Sequence, residues 1–312
     1  MKLNNKGFAI SSVMYMILIM AIVLITLTLS LLSSRKLVLD KIKQETLDNI
    51  YNKTEEVIPS EPTEPEEPTD QIPEPVSFAS DSWETIALNV KAGNLSKYNL
   101  GAEKEVDLGS FGKHVVRIAN TTTPSECTQS NFSQTGCGFV IEFKDIITTS
   151  TMNSASTNDG GYPNTKIYKE VINNIYDSLP QDLKKYIIKT KVISSHGENG
   201  TANFETTDYL YLLATKEVYG DKGAQGAYVI DHDSTESQIR QLDYYDSIGV
   251  TTSAITGAIK YLNGEKKGWW LRSAPYSVKT SFYYVKKEGD WGTLFSNISS
   301  LGVSVAFRLE TK

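Results

Sequence analysis

Phe8 to Leu32 is a run of 25 residues without one charged side chain. As a helix it is about 37 Å long, enough to cross the ~30 Å hydrocarbon core of a bilayer with some tilt. A soluble core helix would show a polar face once per turn. Here only small Ser and Thr side chains interrupt, and these can bond back to the helix backbone. The reading is a membrane helix, with the lipid bilayer as partner through residues 8–32. A cleaved secretory signal has a shorter apolar region, usually about 7–15 residues, and no A-x-A-like cleavage site follows this one.

Orientation follows from the flanks. Lys2, Lys6 and the terminal amine precede the span, and Arg35, Lys36, Lys41 and Lys43 follow it. Lys/Arg count alone keeps the C-terminal flank inside. The very short leader (residues 1–7), the cysteine pair and the linker all suit an exported domain instead, so a single-pass protein of the cell membrane with its C-terminal part extracellular is expected. Helical spacing continues to residue 52, with Leu39, Ile42, Leu47 and Ile50 roughly on one face. This is read as a juxtamembrane extension, with a self-association face as the alternative.

Charge is concentrated next. Residues 1–52 carry a net +3, residues 53–77 a net −7, and residues 78–312 a net −2. In 53–77, proline recurs at 59, 62, 65, 68, 73 and 75 among Glu and Thr. Such a segment lacks the apolar surface to fold, and proline with like charges extends it. It reads as a disordered acidic spacer. The body beyond is close to neutral, which excludes a nucleic-acid partner gripped through its phosphates.

The body, 78–312, mixes both periodicities. SWETIALNVKAGN predicts a helix with Ser82 as N-cap and Gly93 as stop. EVDLGSFGKHVVRIAN predicts a hairpin turning at Gly109 and Gly112. GFVIEF, KVISSH, DYLYLL, WWLRS, SFYYVKK and GVSVAFRL read as strands, and Ile167, Val171, Ile175 and Leu179 as one helix face ended by Pro180. Without a βαβ rhythm, the class is α+β: mixed or antiparallel sheets with flanking helices.

In WWLRS, alternation puts Trp269 and Leu271 on one side and Trp270 and Arg272 on the other. In GVSVAFRL, Val303, Val305, Phe307 and Leu309 share a face, and Ser304, Ala306 and Arg308 share the opposite one. The pattern reads as core strands with a stacked or salt-bridged arginine. The alternative is a ligand cleft lined by Trp270 and Arg272, with Arg308 on the paired strand, since Trp and Arg are enriched at binding hot spots.

Chemistry-bearing motifs are sparse. There is no HExxH, nucleophile elbow, P-loop or dinucleotide fingerprint, so no catalytic residue is assigned. His114 falls in a strand, while His196, in SSHGENG, leads a polar loop that suits the border of a cleft. Asp231, Asp233 and Glu236, around His232, are oxygen donors of the kind calcium takes, but their spacing fits no calcium loop; a solvated loop is the reading, calcium the alternative, and no other metal or cofactor is expected. Cys127 and Cys137 close a small loop as a disulfide in an oxidising compartment and stay free thiols in a cytosolic one.

Lys6-Gly7-Phe8 ahead of the apolar run resembles the leader of type IV prepilins and pseudopilins. The resemblance implies cleavage between Gly7 and Phe8 and methylation of Phe8. The fifth residue of the mature family helix is usually Glu, and here it is Ser12, which counts against filament assembly. Over about residues 80–310, the helix SWETIALNVKAGN, VVRIAN, CGFVIEFKDII, YDSLPQDLKKYIIKTKVISSHG, TDYLYLLATKEVYG, RQLDYYDSIGVTTS, GWWLRSA and GVSVAFRL together resemble a bacterial domain-of-unknown-function family of Gram-positive extracellular proteins. More distantly, WLRS followed by a terminal GFR-type strand resembles the C-type-lectin-like and formylglycine-generating-enzyme fold. The only two cysteines flank one short loop, so that enzyme's chemistry does not carry over. The expected function is a membrane-anchored surface protein displaying a non-catalytic domain for a glycan or protein ligand. A minor pilin or pseudopilin and an extracellular enzyme are the alternatives.

Overall fold

The computed structural model describes residues 72–198, 200–221, 235–298 and 300–311, together with Met20. Gly7, Phe8 and the expected spanning run otherwise lie outside the described residues, as do Asp231, His232 and Asp233. Among the described residues no helix is long and apolar enough to cross a membrane. The chain divides into two units, Met1–Thr69 and Asp70–Lys312, and the elements described below belong to the second.

Helix α1 (Trp83–Ala92) starts where Ser82 Oγ accepts the Thr85 backbone N–H at 3.0 Å. It stops at Gly93, whose φ of 79° a side chain would resist. Trp83, Ile86 and Val90 face the core, as the spacing predicts. The body begins a little ahead of Phe78: Pro75 is buried, and Asn89 Nδ2 donates to the Pro73 carbonyl at 2.7 Å.

Two sheets carry the fold. The first has the order β1 (Glu103–Asp107), β2 (Lys113–Asn120), β3 (Phe139–Phe143), β15 (Val305–Leu309) and β5 (Ile187–Ile188), with β8 (Tyr211–Leu212) also on β15. The second runs β13 (Trp291–Phe295), β12 (Ser281–Val285), β11 (Trp269–Trp270), β14 (Leu301–Val303) and β4 (Thr148–Ser150). Every pairing in them is antiparallel except β11 with β14, where Trp269 meets Gly302. Two small hairpins stand apart: β6 (Thr190–Ser194) with β7 (Phe204–Asp208), and β9 (Lys260–Leu262) with β10 (Glu265–Lys267). The helices are short: α2 (Ile172–Ser178) behind a π-turn at Ile167–Val171, α3 (Gln181–Lys184), α4 (Thr215–Tyr219) and α5 (Asp243–Ser247). The architecture is α+β, with antiparallel sheets dominant.

GVSVAFRL is not one strand. β14 and β15 belong to different sheets, and the single residue Ser304 carries the chain between them. WWLRS is shorter than the alternation predicts: β11 ends at Trp270. The alternation of faces still holds. Trp270, Val303, Val305, Phe307 and Leu309 enter one core cluster, while Trp269, Leu271, Val140 and Ala306 enter a second. The inner strands are therefore covered on both sides, while the edge strands β1 and β13 keep exposed residues, and a polar residue buried on an inner strand calls for a partner inside the protein.

Candidate functional site

The interior contains more charge than an α+β core of this size requires. Arg272 is completely buried. Its Nη1 and Nη2 donate to the two carboxylate oxygens of Glu217 at 2.6 and 2.7 Å. Nε donates to the Ile193 carbonyl at 3.1 Å, and Nη1 also to the Leu212 carbonyl at 2.7 Å. Glu217, on the first turn of α4, accepts the Ala214 backbone N–H at 2.8 Å and the Thr135 hydroxyl as well. Burial works against the Arg272 charge, but Glu217 outweighs it and holds the guanidinium pKa above its ordinary value. Trp270 is also fully buried, with Nε1 donating to the Ser150 carbonyl at 2.8 Å. A ligand cleft lined by Trp270 and Arg272 is thus set aside: neither has surface to offer, and the core-strand reading with a salt-bridged arginine fits.

A second network crosses the other end of the first sheet. Arg117 and Glu142, opposite in the β2–β3 register, pair at 2.8 Å. Arg117 lies 3.9 Å from the centroid of the Tyr244 ring, and Tyr245 donates to Glu142 Oε2 at 3.0 Å. Lys260 adds a second cation at 2.8 Å from Glu142 Oε2 and donates to the Phe143 carbonyl at 2.5 Å. Burial tends to raise the Glu142 pKa, yet Arg117 and Lys260 hold it below the usual carboxylate value. Lys260 is the surplus cation: burial, aided by Arg117 and opposed by Glu142, draws it down to about 8.

Arg308 breaks this pattern. It is 9% exposed, yet no hydrogen bond or ion pair reaches its side chain among the described residues, and its Nε is shut off from solvent without an acceptor. Burial lowers its pKa, and Tyr211 alone acts in opposition. It shares a face with Ala306 and pairs across to Val140 and Ile188. Its Nη2 lies 3.3 Å from where a side chain on Gly138 would begin, and Thr311 Oγ1 lies 3.0 Å from the same point. Gly138 has φ of 72° and follows Cys137, which is disulfide-bonded to Cys127. The wall beside the guanidinium is thus the end of the disulfide-closed loop.

His196 follows β6 and is half-buried, its Nδ1 hydrogen-bonded to the Gly197 carbonyl. His114 is also half-buried, with Nε2 3.0 Å from the Phe111 carbonyl. Trp270 enters the first cluster, Arg272 pairs with Glu217 and Arg308 lines the face of Ala306, so the four candidates do not converge on one cleft. A surface cleft of about 370 Å³ opens instead between α4 and α5, lined by Glu126, Phe132, Lys216, Asp221, Arg240 and Asp246. Its cations are taken: Lys216 pairs with Asp221 at 3.1 Å and Arg240 with Asp243 at 2.8 Å. Among the described residues no group of three or more His, Cys, Asp or Glu side chains is placed to hold a metal.

Residues 139–311 match the model of DUF6273, a domain of unknown function. The chain belongs to the DUF6273 family. No curated protein and no solved structure matches the chain. The DUF6273 match begins at Phe139, later than the span near residue 80 over which the resemblance is read, so α1, β1, β2 and both cysteines precede it. Arg272, Glu217, Glu142, Lys260 and Arg308 fall inside it, while Arg117 and Gly138 come from the segment ahead.

The partners of the core charges were the part sequence reasoning missed. Glu142 offered a signal: a lone carboxylate in an apolar strand needs a cation, and Arg117 is the one in the neighbouring strand. Glu217 offered none, because it lies 55 residues before Arg272 in an unremarkable short helix.

Proposed function

We propose that the protein is a membrane-anchored, outward-facing surface protein that displays its α+β body, on an acidic spacer, as a non-catalytic binding domain of C-type-lectin-like character. The observation that carries the binding reading is Arg308, a nine-tenths buried arginine that has no hydrogen-bond or ion-pair partner among the described residues, where Arg117 and Arg272 are matched. An arginine without an internal ion pair adds little to stability, because burying its stem and Nε costs free energy that no partner offsets. The Cys127–Cys137 disulfide supports the outward orientation, since such bonds persist in oxidising compartments. The charge-free run Phe8–Leu32 supports the anchor.

The Lys6-Gly7-Phe8 leader favours a second reading, a minor pilin or pseudopilin, and Ser12 in place of the family's Glu counts against it. One pair of measurements on native material decides. A membrane-impermeant amine label applied to intact cells should modify lysines of the 78–312 body; labelling that needs lysis would sink the outward reading. The mass of the N-terminal peptide from isolated envelopes separates the two readings. A peptide starting at methylated Phe8 puts the pilin reading ahead, and an intact Met1 leaves a signal-anchored surface domain.

A further inference from the structure

We propose that Arg308 is the recognition residue of a site for a ligand carboxylate, at the rim formed by Gly138 and Thr311; this rests on the binding-domain reading above. The argument begins with a contrast. Three arginines are buried in this unit. Arg117 has Glu142 and Arg272 has Glu217, each within 2.8 Å. Arg308 lies on the same sheet as Arg117, one strand from Glu142, and no acid pairs with it among the described residues. Its neighbours on that face, Ala306, Val140 and Tyr211, belong to an apolar cluster, so a Met or Leu at 308 would fill the position without a charge. A guanidinium kept there is equipped to receive an anion.

The chemistry of the ligand follows from what faces the guanidinium. Nε is enclosed, and β15 is hydrogen-bonded on both sides, so the small exposed share belongs to the guanidinium end. Two N–H groups of that planar end match the two oxygens of a carboxylate. Among the described residues no second lysine or arginine acts on Arg308, and Tyr211 is the titratable group that does. A single positive charge is balanced by a monoanion, which favours a carboxylate over a phosphate dianion. Thr311 Oγ1, half-buried beside the same point on Gly138, supplies a neutral hydroxyl that can donate to one of the oxygens. The disulfide enters through Cys137: it fixes the residue before Gly138 and so the wall of the site.

The test uses the full chain in detergent micelles, with acetate and glucuronate as probes against chloride and phosphate at matched ionic strength. Thermal unfolding and the Arg Nε–Hε NMR resonance are both followed. The wild-type chain should show a saturable rise in unfolding midpoint and a shifted Arg308 resonance with the carboxylates only. A larger response to glucuronate than to acetate identifies a sugar acid as the source; equal responses identify the carboxylate group alone. Arg308→Met should lose at least tenfold in carboxylate affinity while its ligand-free midpoint stays level or rises, because no ion pair is lost. Arg308→Lys should fall in between. Three results overturn the proposal: no carboxylate response in the wild-type chain, an equal response in Arg308→Met, or a ligand-free Arg308→Met that unfolds well below wild type, which would reveal a partner inside the protein. Any of these leaves the surface-display reading to stand or fall on the labelling of intact cells.

Discussion

Replacing Glu217 by Gln should cost the Asp70–Lys312 unit about 3–5 kcal/mol, although the side chain keeps its shape. The magnitude comes from what is left behind. Arg272 retains its bonds to the Ile193 and Leu212 carbonyls, but one of its N–H groups now meets an amide NH₂, and its charge is stranded in a fully buried position. For a unit of this size the loss lowers the unfolding midpoint by roughly 10 °C. Arg272→Met should cost a similar amount, this time by stranding the carboxylate. The double variant Arg272→Met/Glu217→Gln removes both charges and should cost less than the two single changes together, which gives a coupling energy of about 2 kcal/mol or more. Urea unfolding followed by tryptophan fluorescence reads all four proteins, since Trp269 and Trp270 are fully buried beside the network. The exposed pair Lys91–Glu310, also at 2.7 Å, is the internal control, and Glu310→Gln should be silent within error. If Glu217→Gln cost under about 1 kcal/mol, or if the single costs simply added, burial would not be what makes this pair matter.

The surplus cation gives a pH signature. The folded pKa of Lys260 is about 8, below its unfolded value near 10.4, so the unfolded state holds the proton more tightly. Stability attributable to this residue should therefore rise between about pH 8 and 10 and be lost as pH falls through 8; a wild-type chain whose pH slope there equals that of Lys260→Met would refute the assignment. Glu142 has the usual carboxylate sign, a lowered folded pKa, and its contribution should disappear as acid titrates it below about pH 4, less steeply in Glu142→Gln. Reducing the Cys127–Cys137 bond, which closes a loop of sequence separation 10, should cost about 2.5–3 kcal/mol in a denaturant titration, with no change in the Arg272 network. Gly302→Ala should destabilise by about 1–3 kcal/mol, because its Cβ would lie 2.5 Å from Ile146 Cδ1 in a core with no slack; an unchanged midpoint would mean that Ile146 moves freely.

Local signals in the sequence specified local structure well. Ser82 and Gly93 bracket α1 as capping chemistry requires, and Gly109 and Gly112 do turn β1 into β2. What alternation could not reveal was that the inner strands are covered on both faces. A period of two sorts residues onto two sides but says nothing of which side meets water, so Arg272 on the far side from Trp269 looked available when it was sealed. Nor does periodicity mark the place where a strand changes sheets: Ser304 fits the alternation of its neighbours while the hydrogen-bonding partners change around it. The significance of Arg308 depended on a negative fact, that no acid among the described residues reaches it, which only the tertiary arrangement supplies.

The switch at Ser304 bears on how such a chain is made. β14 supplies the partner of β11 and β4, and after one intervening residue β15 is joining β3, β5 and β8. Until Leu309 has left the ribosome, both sheets lack an inner strand and expose open, sticky edges to any other chain nearby. Closing the two sheets is therefore a coupled event: neither is complete until the same short stretch, residues 301–309, has been laid into both.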